Sequence, residues 1–242
     1  MEHTPNSAAT TEDFEFSALS EAHYYPRAIV REFRPYLKGH VVEVGSGIGQ
    51  MARLFSEEPG VRTFTAVEPD ACFAREFQRQ CPEITLVEGT VSELICEGGC
   101  DAILSINVIE HISDHLDELK RYKKLLEHRG GYVCILTPAC PEIYSPIDSD
   151  FGHFRRYTKK SISDLLTSAG FKTEKVFYFN FPGYFAWWLN FKILKSRSFN
   201  PLMVRLYDRL IFRFFSKIEA NVMRPSLGQS VIAIGKAESC AT

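Results

Sequence analysis

The sequence lacks the features that mark several specialised classes of protein. Its 242 residues carry 28 Lys and Arg against 30 Asp and Glu, so no excess of positive charge is available to hold a nucleic-acid backbone. The seven cysteines include no CxxC pair and no segment resembles a secretory signal, which predicts reduced thiols and a cytoplasmic location. The most apolar stretch, residues 176 to 189, is too short to span a membrane and is interrupted by Asn180, Pro182 and Gly183.

What the sequence does have is an alternation of short apolar runs and helical patterns. Hydrophobic residues make up 45% of the chain, which is enough for one large α/β domain. Strands are predicted at residues 40 to 44, 61 to 67, 84 to 87, 101 to 106, 131 to 136, 171 to 179 and 230 to 235. Helices are predicted at residues 25 to 37, 49 to 55, 70 to 80, 114 to 127 and 159 to 169. Such alternation indicates βαβ units and a parallel sheet buried on both faces. Residues 1 to 14 are small and polar and are predicted to be a flexible tail, which leaves residues 15 to 242 as a single domain.

The most informative segment is residues 40 to 50, which read HVVEVGSGIGQ. Gly45, Gly47 and Gly49 allow a tight strand-to-helix turn at which the backbone can approach a ligand closely. A nicotinamide fingerprint would need GxGxxG, but glutamine stands where the last glycine would be. Glu43 would repel a pyrophosphate and attract a cation. The segment therefore predicts a site for a cationic nucleotide-like ligand. The alternative interpretation is that the glycines form only a tight strand-to-helix turn and bind no ligand.

A second carboxylate, Glu68, ends the next predicted strand. It lies about 20 residues past the glycines, where a carboxylate commonly holds ribose hydroxyls. Glu43 and Glu68 could both be surface carboxylates, but their placement at strand ends favours ligand roles.

Five segments in chain order read VVEVGSGIG, AVEPD, LVEGTVSEL, DAILSINVIEHI and GGYVCILTP. Together they resemble the five motifs of class I S-adenosylmethionine-dependent methyltransferases. The resemblance covers roughly residues 24 to 179, with a weaker match at SLGQSVIAIGKA. It implies an α/β, Rossmann-like doubly wound, mostly parallel seven-stranded sheet with helices on both faces and the last strand antiparallel. We expect a C-terminal helical insertion in addition. The resemblance also implies S-adenosyl-L-methionine as the cofactor and methyl transfer as the activity.

The motifs and the resemblance together predict a set of cofactor-binding residues. The set is Tyr25, Glu43, Gly45, Ser46, Gly47, Gly49, Glu68, Pro69, Thr90, Val91, Asn107, Val108 and His111. Thr90 stands where the family often has an aspartate for the adenine amino group, so its contact is less secure than the rest. Tyr24 and Tyr25 could close over the cofactor or could equally pack in the core.

Two histidines are the predicted catalytic residues. His111 follows the fourth strand, a region that borders the methionine part of the cofactor in similar proteins, so it could shape the pocket or act as a base. His153 lies in DFGHFRRYT, residues 150 to 158, and a similar segment recurs in a bacterial subset of the family whose members resemble modifiers of glycans, lipid-linked sugars or small natural products. No metal site is predicted.

The acceptor is predicted to lie between residues 139 to 158, taken as an active-site loop, and the aromatic segment that follows the sixth strand. The predicted acceptor-binding residues are Arg155, Arg156, Tyr157, Phe181, Tyr184 and Trp188. Cations and a phenol over the site would suit an anionic or polyhydroxylated acceptor. The alternative is that the two arginines bind Asp148 or Asp150 and tie the loop down.

Residues 181 to 225 are aromatic and locally basic, with eight Lys or Arg against two acids. An apolar helical stripe is formed by Met203, Leu206, Leu210, Phe214 and Ile218, and a basic row beside it is formed by Arg205, Arg209, Arg213 and Lys217. One interpretation is a basic amphipathic helix that contacts an anionic membrane or covers a greasy acceptor. The sequence favours the other, a lid or dimer helix packed on the sheet with its basic face in water.

The predicted function is methyl transfer to a small-molecule, sugar, glycan or lipid-linked acceptor. The main alternative is a regulatory protein that binds S-adenosylmethionine without turnover. A nicotinamide oxidoreductase is disfavoured by Glu43 and by the glutamine after the glycines. Protein or nucleic-acid methylation is a weaker option, because the fourth strand leads into Asn107-Val108-Ile109-Glu110 and not into the NPPY sequence that holds an exocyclic amine of a base. The oligomeric state is left open.

Overall fold

The computed structural model describes residues 21 to 198, 200 to 221 and 224 to 238. The predicted tail, residues 1 to 14, lies outside this range. The strands are β1 (Gly39–Val44), β2 (Val61–Glu68), β3 (Thr85–Glu88), β4 (Ala102–Ile106), β5 (Tyr132–Pro138), β6 (Phe171–Phe179) and β7 (Ser230–Ala237). The helices are α1 (Tyr24–Phe33), α2 (Gln50–Ser56), α3 (Ala71–Gln80), α4 (His115–Glu127), α5 (Pro146–Asp150), α6 (Lys159–Ser168), α7 (Phe181–Trp187), α8 (Pro201–Leu206) and α9 (Arg213–Asn221).

The seven strands form one sheet in the order β3-β2-β1-β4-β5-β7-β6. Strands β1 to β5 pair in parallel with one another, whereas β7 runs antiparallel to both β5 and β6. The predicted Rossmann-like, mostly parallel sheet with an antiparallel last strand is therefore confirmed. The strand order reverses between β1 and β4, and in open α/β sheets ligands bind at such a switch point.

The sheet is buried on both faces, and its central strands β1, β4 and β5 are mostly apolar, as is usual for parallel strands covered on both sides. Val42 and Ile103 pack with one core cluster, on the side of α4 and α6. Val41 and Leu104 pack with the other, on the side of α1, α2 and α3. Successive side chains of a strand point to opposite faces, so each strand supplies both cores.

Helix caps fix where the chain leaves the sheet. The Asp70 carboxylate accepts the N–H groups of Cys72 and Phe73 at the start of α3. Asp114 accepts the Asp117 N–H at the start of α4. Each cap satisfies N–H groups that the first helical turn leaves without partners, so both helices begin directly at the carboxyl edge of the sheet.

Residues 139 to 158, predicted as an active-site loop, are a packed segment that contains short helices. They contain a 3₁₀ turn (Pro141–Ile143) and α5, and Tyr157 forms a parallel bridge with Ala139. Ile147 and Phe151 are buried in the core on the α4 side. The two prolines of this segment, Pro141 and Pro146, each stand at the start of one of these short helices, where proline is well tolerated.

A helical connection, residues 181 to 221, joins β6 to β7 and comprises α7, α8 and α9, with π-helical segments at Trp188–Ile193 and Tyr207–Phe212. Its orientation contradicts the favoured prediction. The apolar stripe faces outward, since Met203 is 60% exposed, Leu210 68% and Phe214 61%. Asp208, Phe212, Ser216 and Glu219 face the domain instead.

None of the helices described is long and apolar enough to cross a membrane.

Candidate active site

A cavity of about 710 Å³ opens at the carboxyl edge of the sheet, at the switch point between β1 and β4. Its walls come from the ends of β1 to β4 and from the start of α4. Eleven of the thirteen residues predicted to bind the cofactor line it, namely Glu43, Gly45, Ser46, Gly47, Glu68, Pro69, Thr90, Val91, Asn107, Val108 and His111. The sheet topology thus brings together motifs that are up to 68 residues apart in the chain, from Glu43 to His111.

The glycine turn after β1 forms one wall of this cavity. The N–H groups of Gly45 and Ser46 donate to the Val67 carbonyl at 2.9 and 3.2 Å, which joins the turn to the end of β2. Gly45 has φ +69, and a Cβ atom there would lie 2.5 Å from Val108 Cγ2. A residue other than glycine would therefore both strain the backbone and collide with the loop after β4.

Glu68 holds the second half of the turn. Its Oε2 accepts the Gly47 N–H at 2.7 Å and its Oε1 accepts the Asp70 N–H at 2.9 Å. Charge-assisted hydrogen bonds of this kind are stronger than neutral ones. Glu68 is 5% exposed, so it fixes the relative position of the β1 and β2 ends beside the cavity.

Glu43 is the other buried carboxylate of the cavity. It is 2% exposed, and its Oε2 has no hydrogen-bond partner among the residues described. Burial and the nearby Glu68 raise the pKa of Glu43 to about 8. An unpartnered buried oxygen is costly, and a cation or a hydrogen-bond donor placed in the cavity would satisfy it.

The lining is acidic as a whole. Six carboxylates line the cavity: Glu43, Glu68, Asp70, Asp114, Asp117 and Glu118. Its one arginine, Arg121, is already paired with Asp117 at 2.9 Å. The local charge therefore favours a cationic ligand over a nucleotide carrying a pyrophosphate.

Several lining residues were not predicted. They are Val44, Gln50, Met51, Asp70, Phe73, Gly89, Ser92, Ile106, Ile112, Asp114, Asp117, Glu118 and Arg121. Most directly neighbour a predicted residue or begin α2, α3 or α4. The helix caps Asp70 and Asp114 were a usable signal, because a cap after a parallel strand lies at the edge where ligands bind.

Two residues of the predicted cofactor set lie outside the cavity. Gly49 packs against α3, since a Cβ atom there would lie 2.8 Å from Cys81 Sγ. The Tyr25 ring packs on Phe179 and Phe212. The core-packing interpretation of Tyr25 is the one that the structure supports. Thr90 does line the cavity, but its N–H and hydroxyl both donate to Glu93.

His111 lines the cavity directly behind the β4 end. Burial and the adjacent His153 lower the pKa of His111 to about 4, although a hydrogen bond to the Phe151 backbone opposes this shift. The imidazole is therefore neutral at physiological pH, with one nitrogen able to accept a hydrogen bond.

His153 does not reach the cavity, contrary to its predicted catalytic role. Its ring lies 4.6 Å from the His111 ring in an edge-to-face arrangement, and its Nδ1 is 3.1 Å from Asp148 Oδ1. Its Nε2 is buried with no hydrogen-bond partner in the described part of the chain. His153 therefore packs against His111 and is not one of the residues that line the cavity.

Arg156 binds Asp148, as the alternative interpretation held, whereas Arg155 binds backbone carbonyls and neither aspartate. Arg156 donates from Nε to Asp148 Oδ1 at 2.7 Å and from Nη1 to the Ala139 carbonyl at 2.9 Å. Arg155 donates to the carbonyls of Ile112 and Ser113. Neither guanidinium lines the cavity, so neither is placed to bind an acceptor there.

The remaining residues predicted to bind the acceptor also lie elsewhere. The Tyr157 hydroxyl donates to the Ile109 carbonyl at 3.2 Å and lies 2.6 Å from His115 Nδ1. Phe181 packs on Phe185 and Phe215. Tyr184 packs against the core on the α4 side, and Trp188 is 43% exposed. The predicted joint acceptor wall is therefore not formed, because these rings are used in packing or face outward.

One group of potential metal ligands occurs among the residues described. Ligand atoms of Glu110, His111 and His153 lie within 4.8 Å of one another. Glu110 Oε2 already accepts a hydrogen bond from the Thr137 hydroxyl at 2.9 Å, and His153 Nδ1 is engaged by Asp148. The sequence-based expectation of no metal stays a prediction.

A more open depression of about 390 Å³ lies at the opposite edge of the sheet, lined by Arg129, Gly130, Lys172, Lys236 and Glu238. None of the residues predicted to bind the cofactor or the acceptor lines it.

Comparison with known proteins places these features in context. A family model described as a methyltransferase domain matches residues 19 to 176. No curated protein sequence matches the chain. A chain of the Haloferax volcanii complex between the Trm112 methyltransferase activator and a methyltransferase has a TM-score of 0.64 at 13% identity, over 97% of this chain and 100% of that one.

Two further solved structures are similar. Haemonchus contortus phosphoethanolamine N-methyltransferase 2, in complex with S-adenosyl-L-methionine, has a TM-score of 0.63 at 16% identity, over 98% of this chain and 62% of that one. An S-adenosylmethionine-dependent methyltransferase from Mesorhizobium loti has a TM-score of 0.60 at 16% identity, over 90% of this chain and 99% of that one. At these identities the likeness shows a shared fold and says nothing about acceptors.

Proposed function

Because the chain belongs to the methyltransferase domain family, it is a methyltransferase that uses S-adenosylmethionine, and we propose that it methylates a small-molecule, sugar or lipid-linked acceptor. The observation that carries the placement of the cofactor is Glu43. This carboxylate is buried at the head of the glycine turn, faces the cavity and has an oxygen without a partner in the described part of the chain.

The residues of the cavity fit the cofactor by charge and by shape. When bound, S-adenosylmethionine supplies a methyl group on a cationic sulfonium, open to in-line attack by a nucleophile. Glu43 would meet the positive end of this ligand. Glu68 and the glycine turn would hold its nucleoside part, and Asn107, Val108 and His111 would border its methionine part. An NAD pyrophosphate would meet the same carboxylates with unfavourable charge.

We assign His111 the role of orienting the acceptor. It is the histidine that lines the cavity, and burial keeps it neutral. A neutral imidazole can accept a hydrogen bond from an acceptor hydroxyl or amine and so align its lone pair, which is the main task in a displacement of this kind. With a pKa of about 4 it is a weak base, so orientation accounts for its position better than complete proton removal.

The shape and charge of the cavity support a small acceptor. A volume of about 710 Å³ lies within the range usual for small-molecule sites, and an acidic lining disfavours a nucleic acid. The methylated end of the acceptor would be neutral or cationic, because six carboxylates line the cavity. This differs from the anionic group that the arginines suggested.

Calorimetry with S-adenosylhomocysteine and with NAD tests the cofactor assignment. We expect micromolar binding of S-adenosylhomocysteine and no binding of NAD, and binding of NAD alone would overturn the cofactor assignment.

For the acceptor, transfer of label from [methyl-³H]S-adenosylmethionine should be measured to sugars, phenols and primary amines, each with and without an alkyl chain. Replacement His111→Asn should lower kcat while S-adenosylhomocysteine affinity stays within about threefold. An unchanged kcat would remove His111 from the reaction.

The regulatory alternative makes a different prediction in the same assay. A protein that only binds S-adenosylmethionine would transfer no label to any acceptor. The match to the methyltransferase domain over residues 19 to 176 favours the enzyme.

A further inference from the structure

Exposed apolar surface is concentrated in one part of this molecule. Of the thirteen large hydrophobic side chains that are exposed in the described part of the chain, eleven lie between residues 185 and 214. They include Phe185, Trp188, Leu206, Leu210 and Phe214. Scattered exposed hydrophobic residues are normal, but a concentration of this kind marks a surface that binds something.

Polar residues fix the helical connection with this surface outward. The Asp208 carboxylate, 1% exposed, accepts the backbone N–H groups of His23, Tyr24 and Tyr25 at the start of α1. Glu219, 5% exposed, accepts the N–H groups of the residues that begin α7. Turning the apolar stripe inward would break these buried charge-assisted bonds, so the outward orientation is built into the fold.

The two halves of the connection lie side by side. The Phe181 ring contacts the Phe215 ring, with 6.5 Å between centroids, and the Tyr207 hydroxyl donates to Asn180 Oδ1. In the first half, Trp187 and Phe191 are buried while Phe185 and Trp188 are exposed. Both helical halves therefore present an apolar side outward.

The charges around this apolar surface have one sign. Residues 181 to 221 contain seven Lys or Arg and two acids, and both acids, Asp208 and Glu219, are buried. Some of the cations are engaged, such as Arg205 with Glu21. Arg209 and Lys217 are exposed and form no ion pair within the described residues. They lie in the basic row beside the apolar stripe.

We propose that this outer face, defined by Phe185, Trp188, Leu206, Leu210 and Phe214 together with Arg209 and Lys217, binds the surface of an anionic lipid bilayer. An interfacial helix needs an apolar face with cations at its border, and each cation attracts anionic lipid. A second copy of the chain is a poorer occupant, because two-fold pairing of one face would bring its cations close to each other. The contact is peripheral and is independent of the proposed acceptor.

Vesicle flotation tests this proposal without any assay of activity. The probes are vesicles of phosphatidylcholine alone and vesicles in which about a quarter of the lipid is phosphatidylglycerol. We expect the protein to float with the second kind and not with the first. Removing two cations with Arg209→Gln and Lys217→Gln should weaken partitioning about 25-fold, since one cation near the surface is worth about fivefold.

The apolar contribution is tested by Leu210→Ser with Phe214→Ser, which should abolish flotation. These side chains are 68% and 61% exposed, so the fold should survive. The matched controls are Ile95→Ser, at an 87% exposed residue elsewhere, and Lys38→Gln, at an exposed lysine. Both should float like the wild type.

Three outcomes would overturn the proposal. The first is no flotation of the wild type, and the second is flotation unchanged in the Leu210 and Phe214 double variant. The third is a dimer in sedimentation equilibrium that the same double variant dissociates, without lipid binding, which would make this face an interface between copies. Calorimetry with S-adenosylhomocysteine on each variant separates these outcomes from failure of the cofactor site, because the outer face contributes no residue to the cavity.

Discussion

Two buried carboxylates in this protein have opposite environments. Asp148, with its side chain fully buried, is surrounded by donors: Arg156 Nε, His153 Nδ1, and the N–H and hydroxyl of Ser145. Burial alone would raise the pKa of Asp148, but these hydrogen bonds and the arginine outweigh it and the net shift is downward. Glu43 has an oxygen without a described partner, and its pKa rises to about 8.

The difference in hydrogen-bond partners distinguishes a carboxylate that stabilises the fold, Asp148, from one that is available to a ligand, Glu43. A carboxylate whose partners are all supplied by the chain stabilises the fold and has nothing left for a ligand. A carboxylate that is left incomplete beside a cavity costs stability and gains its partner from what binds there. The segment around Asp148 supplied the arginines that were predicted to bind the acceptor, but the Asp148 carboxylate is occupied by donors from the chain itself.

The largest effect on stability is expected from a change at Asp148, whose carboxylate has all its partners within the chain. Asp148→Asn removes the charge that compensates Arg156, whose side chain is fully buried. Removing one partner of a buried pair costs about 3 to 5 kcal/mol. Urea unfolding should show a loss of this size, and Asp150→Asn is the matched control because the Asp150 pair with Arg197 is at the surface, 3.4 Å apart. An unfolding free energy equal to that of the wild type would contradict the comparison.

The second prediction concerns the incomplete site. Glu43→Gln should not lower the stability at neutral pH, because the side chain keeps its shape and folding no longer requires the uptake of a proton by a buried carboxyl group. It should weaken S-adenosylhomocysteine binding by about 10 to 100-fold, the usual value of a hydrogen bond to a charged group. Calorimetry provides the measurement, with Glu83→Gln at an exposed position as the control. Unchanged affinity would show that Glu43 does not face the ligand.

The pH dependence of stability gives a third test of the same residue. The folded pKa of Glu43, about 8, is above its ordinary value of 4.5, so the folded state holds a proton that the unfolded state releases. The resulting stability is present below pH 4.5 and is lost as the pH rises to about 8. His111 acts in the opposite direction between its ordinary value of 6.5 and about 4. Subtracting the curve of Glu43→Gln from that of the wild type isolates Glu43, and a flat difference would contradict its raised pKa.

The cofactor side of the site could be predicted from the sequence because each of its motifs is local. A strand that ends in Gly45 and Gly47, or in Glu68, places these residues at the same sheet edge once the strands are parallel. Eleven of the thirteen predicted residues therefore reach one cavity. Gly49 and Tyr25 do not line it, because glycine and tyrosine serve packing as readily as binding.

The segments that follow β5 and β6 could not be predicted in the same way, because the direction in which their side chains point depends on tertiary contacts. The periodicity of Leu206, Leu210 and Phe214 correctly indicated a helix, but periodicity does not say which face is buried. Two acidic residues decide it by accepting backbone N–H groups from distant helix starts. The arginines of residues 150 to 158 were equally ambiguous, since a guanidinium suits an acceptor phosphate and a backbone carbonyl alike.

The smallest expected effect on stability and activity is that of replacing Arg155. This residue lies at the boundary between the segment around Asp148 and the wall of the cavity. Its guanidinium is partly exposed and donates to the carbonyls of Ile112 and Ser113 at 2.9 and 3.1 Å. Ile112 lines the cavity, so Arg155 connects the structural segment to the wall of the site without entering it. Arg155→Gln should therefore cost about 1 kcal/mol of stability, because water partly replaces the lost bonds. Faster amide hydrogen exchange should be confined to the turn between β4 and α4, and the acceptor KM should stay within about twofold. Arg121→Gln, on the lining itself, is the contrasting variant. A large rise in KM from Arg155→Gln with unchanged exchange would instead return this arginine to the acceptor site.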